Sequence, residues 1–345
     1  TTFYSMSDIS GINASNLQRW FNEHAEGVIG DLSFAPVAGG HSNLTYIVTD
    51  KSSQKWVLRR PPLGHVLATA HDMSREHKII SALSGSGVPV PGVIGLCEDL
   101  EINDAPFYVM DFVPGVILRT RPEAENLSVE VRKKMGHSLV KTLAGIHDVD
   151  VDAVGLGDLA RREGYIERQL KRWRQQFVDG TTREIPQILE VHELLAAHVP
   201  EQQGVSIVHG DYRLDNCMMS TDGPVAAVLD WELCTLGDAL ADLAGMISSI
   251  SSHVDGSGEL ASTTEGFPTA EEIRQIYSQH SDRNLEHLDF YVAFNFWRMA
   301  CIVEGVYTRY AAGVMGEIDE ASIHAFGNRV IILADLAART MNGMK

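Results

Sequence analysis

An α+β fold in two parts is predicted from three features of the 345-residue sequence. Up to about residue 113, short runs rich in β-branched and aromatic residues alternate with glycine-marked turns. Pro114-Gly115 then breaks the pattern. Beyond it, apolar residues recur at the three- and four-residue spacing of amphipathic helices. The expected domains are residues 1–113, a five-stranded antiparallel sheet plus a helix, and residues 114–345, mainly helical.

In order along the chain, Leu17, Trp20 and Phe21 fall on one face of a first helix, with Ser15 as a plausible cap. Leu32 to Val37 reads as a strand. The turn Gly39-Gly40-His41-Ser42-Asn43 leads into a second strand, Leu44 to Thr49, and Lys55 to Arg59 forms a third. This order describes an antiparallel meander. Ile79, Ile80 and Leu83 mark a helix that carries Glu76 in its first half and stops at Gly85 to Gly87. Val93 to Cys97 and Phe107 to Val113 complete five strands.

The second part opens with a long helix through Val131, Met135, Leu139, Leu143 and Ile146. Further helices are expected over Tyr165 to Phe177, Pro186 to His198, Leu240 to Ile250, Ala270 to Ser278, Asp289 to Tyr310 and Ser322 to Thr340. Short strands interrupt at Ser206 to Val208 and Val225 to Leu229. The Ser-, Gly- and Thr-rich stretch from Ser251 to Gly266 reads as a loop.

Composition excludes several classes. Asp and Glu number 46 against 28 Lys and Arg, a net charge of -18 that argues against a general binder of nucleic acid or anionic membranes. No run is long and apolar enough to span a membrane, and Thr1 to Gly11 shows no secretory pattern. Cys97, Cys217, Cys234 and Cys301 are scattered, fit no zinc or disulfide framework, and suit a reducing cytoplasm.

The sharpest chemical signal is His209-Gly210-Asp211-Tyr212-Arg213-Leu214-Asp215-Asn216, directly after an apolar strand, with Asp230 following 14 residues after Asn216. Phosphoryl transfer needs a carboxylate to orient and accept the proton of the attacking hydroxyl. It also needs an Asn oxygen and a second carboxylate to hold Mg²⁺ against nucleotide phosphates. Asp211, Asn216 and Asp230 meet that demand. The four-residue gap between Asp211 and Asn216 is that of the kinase catalytic loop. Gly39 and Gly40, with Ser42 and Asn43, form a turn whose backbone amides could approach phosphates. Arg59 ends the third strand, where a phosphate-binding cation belongs, and Glu76 is placed to pair with it. Taken singly, each has a plainer reading: a hairpin turn, a surface ion pair, ordinary loop polars. Their shared order along some 200 residues favours function.

With these motifs, the chain resembles the aminoglycoside phosphotransferase-like family of the protein-kinase-like fold. The carriers are His209-Gly210-Asp211, Leu229-Asp230-Trp231-Glu232, and Gly237-Asp238-Ala239-Leu240-Ala241-Asp242-Leu243-Ala244, in which Ala239 stands where that family usually has Pro. Within it, the chain is most similar to kinase-like domains associated with acyl-CoA dehydrogenases. Val57 to Pro62, Ala70 to Glu76, Phe107 to Gly115 and Gly305 to Tyr310 carry that likeness. No region reads as a flavin-binding dehydrogenase domain.

The resemblance implies a two-lobed fold with ATP between the lobes and the backbone of Met110, Asp111, Phe112 and Val113 as the hinge that reads adenine. It also implies an ATP- and Mg²⁺-dependent transfer to a hydroxyl of a small molecule. Arg59 stands where typical kinases carry Lys. The short interval between Asp230 and Asp242 leaves no room for a phosphorylated activation loop, which disfavours a regulated protein kinase. Arg161 to Arg174 carries six Arg and Lys against two Glu, either a solvated helix face or an anion-binding patch with Arg168 and Arg172 as substrate candidates. The implied acceptor is a hydroxyacyl-CoA or a related hydroxy acid. The alternatives left open are an antibiotic kinase with a cationic acceptor and a silent module that binds nucleotide or acyl-CoA.

Overall fold

The computed structural model describes residues 9–37, 43–64, 72–251, 260–314 and 318–344. The chain forms two compact units. The first comprises residues 1–115 together with 226–232; the second comprises 116–225 and 233–345.

In the first unit, helix α1 (Ala14–His24) is followed by β1 (Ser33–Pro36), β2 (Leu44–Thr49) and β3 (Lys55–Arg60). Then come α2 (Met73–Leu83), β4 (Val93–Cys97), α3 (Leu100–Asn103) and β5 (Phe107–Asp111). The strands form one antiparallel sheet in the order β1-β2-β3-β5-β4. Side chains alternate across a strand, so β3 offers Trp56 and Leu58 to one face and Val57 and Arg59 to the other. Trp56 and Leu58 join Leu17, Trp20 and Phe21 of α1 and Phe107 and Val109 of β5 in a buried core. Each large apolar side chain buried there contributes roughly 1.5–3 kcal/mol. On the opposite face Arg59 pairs in register with Tyr108 of β5. Helix α2 starts at Asp72, whose side chain caps the Arg75 N–H. It buries Ile79, Ile80 and Leu83, and with them Glu76.

The second unit holds α4 (Arg121–Glu125), α5 (Val129–His147), α6 (Tyr165–Gly180) and α7 (Pro186–Ala197), then β6 (Ser206–Val208) and β7 (Cys217–Met219). Strand β8 (Val225–Val228) carries the chain into the first unit. After the return come β9 (Thr235–Gly237), α8 (Leu240–Ser251), α9 (Ala270–Gln279), α10 (Leu288–Ala311) and α11 (Glu320–Gly343). Helix α10 is the hub: α6, α7, α8 and α11 all pack on it, and most of its length is buried. Strands β6 and β9 pair antiparallel, Ser206 facing Gly237. Gly237 admits the Tyr165 ring, because a Cβ there would lie 2.4 Å from it.

The α+β class, the five-stranded antiparallel sheet and the helical remainder agree with the sequence expectation. The sequence did not announce α3, α4, β7 or β9. The last strand of the sheet ends at Asp111 rather than Val113, and Asp111 closes it by donating its N–H to Gly92 O at 2.8 Å. Of the expected loop from Ser251 to Gly266, residues 252–259 lie outside the described residues, and Ala261–Thr263 form a 3₁₀ turn. Among the described residues no helix is long and apolar enough to cross a membrane.

Candidate active site

The first unit assembles a cluster around Arg59. Its Nε lies 3.0 Å from Glu76 Oε2, and its terminal nitrogen donates to Asp230 Oδ1 at 2.5 Å. Tyr108 donates its hydroxyl to the same Glu76 oxygen at 2.9 Å, and Asn43 Nδ2 donates to Glu76 Oε1 at 2.9 Å and to Glu232 Oε2 at 3.3 Å. The arrangement follows from the fold: β3 delivers the cation, β5 the tyrosine, α2 the carboxylate. Burial pushes the Glu76 carboxyl above its ordinary range, with Arg59 and Tyr108 pulling the other way. Burial also disfavours the Arg59 charge, but Tyr108, Glu76 and Asp230 outweigh it and hold the guanidinium above its ordinary value. Asp230 has a φ of 64°, a left-handed conformation that Asp adopts more readily than most residues and that recurs at functional positions. Its side chain keeps 33% exposure, so part of the carboxylate remains open.

The second unit builds the loop after β6. Asp242, in the first turn of α8, accepts the His209 N–H at 2.5 Å and the Gly210 N–H at 2.9 Å. His147, the last residue of α5, stands behind it, with Nε2 3.6 Å from Asp242 Oδ2 and Nδ1 2.8 Å from the Tyr277 hydroxyl. Burial alone would raise the Asp242 pKa, but His147, His209 and the Gly210 amide outweigh it and hold it low. Gly210 has a φ of 87°, and a Cβ would lie 2.9 Å from Leu233 O, so both backbone and space require glycine.

That pinned loop presents Asp211. Asn216, at the end of a 3₁₀ turn, donates its amide to both Asp211 O and Asp211 Oδ2 at 2.9 Å. Arg213 lies 3.6 Å from Asp211 Oδ1 and 2.9 Å from Asp215 Oδ2. Desolvation raises the Asp211 pKa, opposed by Arg213, His209 and Asn216. Nearly half of the side chain is nonetheless exposed, so the carboxylate is both packed on its loop and reachable. Because the Asn216 nitrogen is committed to Asp211, the amide oxygen is the atom left to serve as a ligand. The donor set therefore suits Mg²⁺, a hard cation that takes one or two carboxylates, phosphate oxygens and water. Among the described residues no group of three His, Cys, Asp or Glu gathers as a metal cage.

Beside Asp211, within the second unit, is a cavity of about 210 Å³. Its walls include Gly245 and Ser248 of α8, Asn295, Phe296 and Arg298 of α10, Arg329 and Leu333 of α11, and Arg213. Arg168 and Arg172 lie elsewhere on α6, along a shallow groove with Lys171 and Gln175. Arg168 donates to Arg161 O, and Arg172 lies over the Trp173 ring. Arg298 and Arg329 escaped the sequence reading. A usable signal existed for the first: Arg298 is the only charged residue between Asp289 and Glu304.

Of the other expected site residues, Gly39, Gly40 and Ser42 lie outside the described residues. Met110 is buried in β5 opposite Val57. The Asp111 N–H is taken by Gly92 O, so it is not an amide that could read adenine. Phe112 and Val113 are half-buried beyond the strand, with Lys55 Nζ 5.1 Å above the Phe112 ring.

A five-stranded antiparallel sheet followed by a helical unit, with an Asp-x-x-x-x-Asn loop after a short strand, defines the kinase-like class. Residues 33–275 match the model of the phosphotransferase enzyme family, and the chain belongs to that family. It is 35% identical over 327 residues to acyl-CoA dehydrogenase family member 10 of Mus musculus, covering 91% of this chain and 30% of that protein. It is 34% identical over 317 residues to acyl-CoA dehydrogenase family member 11 of Rattus norvegicus, covering 86% and 40%. The chain thus spans about a third of the length of these curated relatives. Among solved structures it resembles a candidate aminoglycoside phosphotransferase from Ralstonia eutropha JMP134, with TM-score 0.80 and 32% identity over 95% of this chain and 98% of that one. The family resemblance read from the motifs is borne out.

Proposed function

We propose that this chain is an ATP- and Mg²⁺-dependent kinase that phosphorylates a hydroxyl of a small molecule, a hydroxyacyl-CoA or a related hydroxy acid. The observation that carries the reading is Asp211, held by Asn216 on a loop that Asp242 fixes through two backbone amides. In this reading the acceptor oxygen forms a bond to the γ-phosphorus as the bond to the bridging oxygen of ADP breaks. The acceptor proton passes to the Asp211 carboxylate. Arg59, held by Glu76, steadies the phosphates, and the backbone of residues 110–113, the engaged Asp111 N–H excepted, receives the adenine. Asn216 and Asp230 are the proposed Mg²⁺ ligands; the bound ion would neutralise charge on the β- and γ-phosphates. Little covalent work is asked of the protein, since positioning and electrostatic stabilisation lower most of such a barrier. No dehydrogenase activity is proposed, because the matched family is a phosphotransferase and the dehydrogenase-named relatives are more than twice as long.

The test is Mg²⁺-dependent transfer of labelled γ-phosphate from ATP to hydroxyacyl-CoAs, free hydroxy acids and aminoglycosides. Transfer to one of the first two classes, lost by at least ~10²-fold in Asp211→Asn, is the expected result. Equal transfer by Asp211→Asn and the parent protein would remove Asp211 from its role.

A further inference from the structure

The first unit holds the two ends of the Arg59 guanidinium in different ways. Arg59 and Tyr108 stand opposite each other on the neighbouring strands β3 and β5, on the same face of the sheet. Glu76 of α2 meets both. Its Oε2 lies 3.0 Å from Arg59 Nε and accepts the Tyr108 hydroxyl at 2.9 Å, while its Oε1 accepts Asn43 Nδ2 at 2.9 Å. The Glu76 side chain is only 3% exposed, so these donors replace water on both oxygens. Tyr108 is buried as well. Burial, and then the Glu76 charge, push its hydroxyl well above the ordinary pKa, so it keeps its proton and donates. Phenylalanine would fill the same volume in the core. What the tyrosine adds is a hydroxyl, and that hydroxyl is bonded to Glu76. The other end of the guanidinium reaches Asp230 Oδ1 at 2.5 Å, on a side chain that is 33% exposed. Of these two carboxylates, the buried one with three donors is the fixed partner and the part-open one is the exchangeable partner.

We propose that Tyr108 is a positioning residue for the nucleotide phosphates: its hydroxyl locks Glu76, Glu76 holds Arg59 at Nε, and the terminal nitrogens of Arg59 exchange Asp230 for phosphate. This rests on the kinase reading above as far as nucleotide binding, and it adds the residue that sets where the phosphate-binding cation points. A guanidinium held at Nε still offers its two terminal nitrogens as a fork, which matches two phosphate oxygens. A long cation that is already held at one end also loses less freedom when phosphate binds than a loose one would. Tyr108 acts through Glu76 and Arg59 and touches no phosphate itself, so its removal weakens the grip on phosphate and leaves the grip on the base.

Binding of ATP, ADP and adenosine, each with Mg²⁺ present, would be measured by calorimetry for the parent protein, Tyr108→Phe, Glu76→Gln and Tyr108→Phe/Glu76→Gln, with circular dichroism as the check on folding. Tyr108→Phe is expected to weaken ATP and ADP about 3–10-fold, the range of one hydrogen bond. Adenosine carries no phosphate for Arg59 and should change less than about twofold. The double variant should bind ATP as Glu76→Gln does, because two residues that act through one contact are not additive. Where the parent protein transfers phosphate, KM for ATP should rise by the same factor in Tyr108→Phe while KM for the acceptor holds. An equal loss for adenosine would make Tyr108 a packing residue and overturn the proposal, as would unchanged ATP affinity in folded Tyr108→Phe. Should Tyr108→Phe fail to fold, the double variant decides, since it buries no carboxylate short of a donor. Weaker ATP binding by it than by Glu76→Gln overturns the proposal, and equal binding supports it. ATP binding without transfer by the parent protein sinks the kinase reading and leaves Tyr108 to be judged by the same affinities; no nucleotide binding by the parent protein sinks both.

Discussion

Asp211 shows how one side chain can be tuned by where its loop puts it. Its carboxyl is raised by desolvation, while Arg213, His209 and Asn216 keep that rise in check. In the proposed role Asp211 must be deprotonated to accept the acceptor proton, so a raised pKa moves the acidic limb of the rate profile upward. The pH dependence of kcat/KM should therefore fall away on the acid side at a pH above 3.8, the ordinary Asp value. Arg213→Gln removes the first opposing charge and should shift that limb further up; a shift downward would contradict the assignment. Asp211, Asn216 and Asp230, the residues proposed for phosphoryl transfer, could be singled out in the sequence because that chemistry asks for fixed local spacing. That Arg298 and Arg329 line one cavity was not legible, since they come from α10 and α11 across sequence distance and belong to no motif, even though Arg298 stands out as the only charge between Asp289 and Glu304. The same limit explains Arg168 and Arg172, which are conspicuous as a charge run yet lie in a separate groove.

At the scale of elements, the end of α5, the start of α8 and α9 are tied through His147, Asp242 and Tyr277. His147 is fully buried, and desolvation lowers its pKa below the ordinary 6.5, with Asp242 and Asp148 opposing and Arg283 assisting. The unfolded chain thus takes up a proton at this histidine before the folded one does. Stability from this group is intact above pH 6.5 and is lost as pH falls below it toward the folded-state value. Asp242 has the same profile in a more acidic range: its lowered pKa stabilises the fold above about 3.8 and that contribution disappears in stronger acid. Replacing His147 with Gln should cost roughly 1–3 kcal/mol through the disturbed partners, read as a lower denaturation midpoint at pH 7.5. It should also flatten the loss of stability as pH falls below 6.5. A slope unchanged by the substitution would exclude His147 as its source. Long elements such as α5, α10 and α11 were readable from periodicity alone. Helices α3 and α4 were not, because four or five residues carry no period and depend on their caps. For α4 that means Glu123, which accepts the Thr120 and Arg119 amides at 2.9 and 2.7 Å. The Thr-Arg-Pro-Glu capping signature was there to be seen.

For the whole molecule, the break at Pro114-Gly115 falls where the chain leaves its first unit, but that unit is not made from one continuous stretch. Residues 226–232 belong to it, bringing Trp231, which is fully buried, and the Val228 N–H bonded to Pro89 O at 2.8 Å. A reading that proceeds residue by residue detects a boundary from a turn signal and has no local cue for a later return. A fragment of residues 1–115 should therefore lack a cooperative thermal transition, while adding residues 226–232 as a peptide should recover part of it. A sharp, unassisted transition in the fragment alone would show that the return is dispensable.

That return also sets a clock on the ribosome. The sheet and its helices are all synthesised by residue 115, yet the strip bearing Asp230 emerges more than a hundred residues later. At the usual ~5–20 residues per second, the nascent first unit waits roughly 6 to 23 s before its last piece arrives. During that interval Pro89 O and the surface destined for Trp231 are exposed, which makes the half-made protein a client for chaperones.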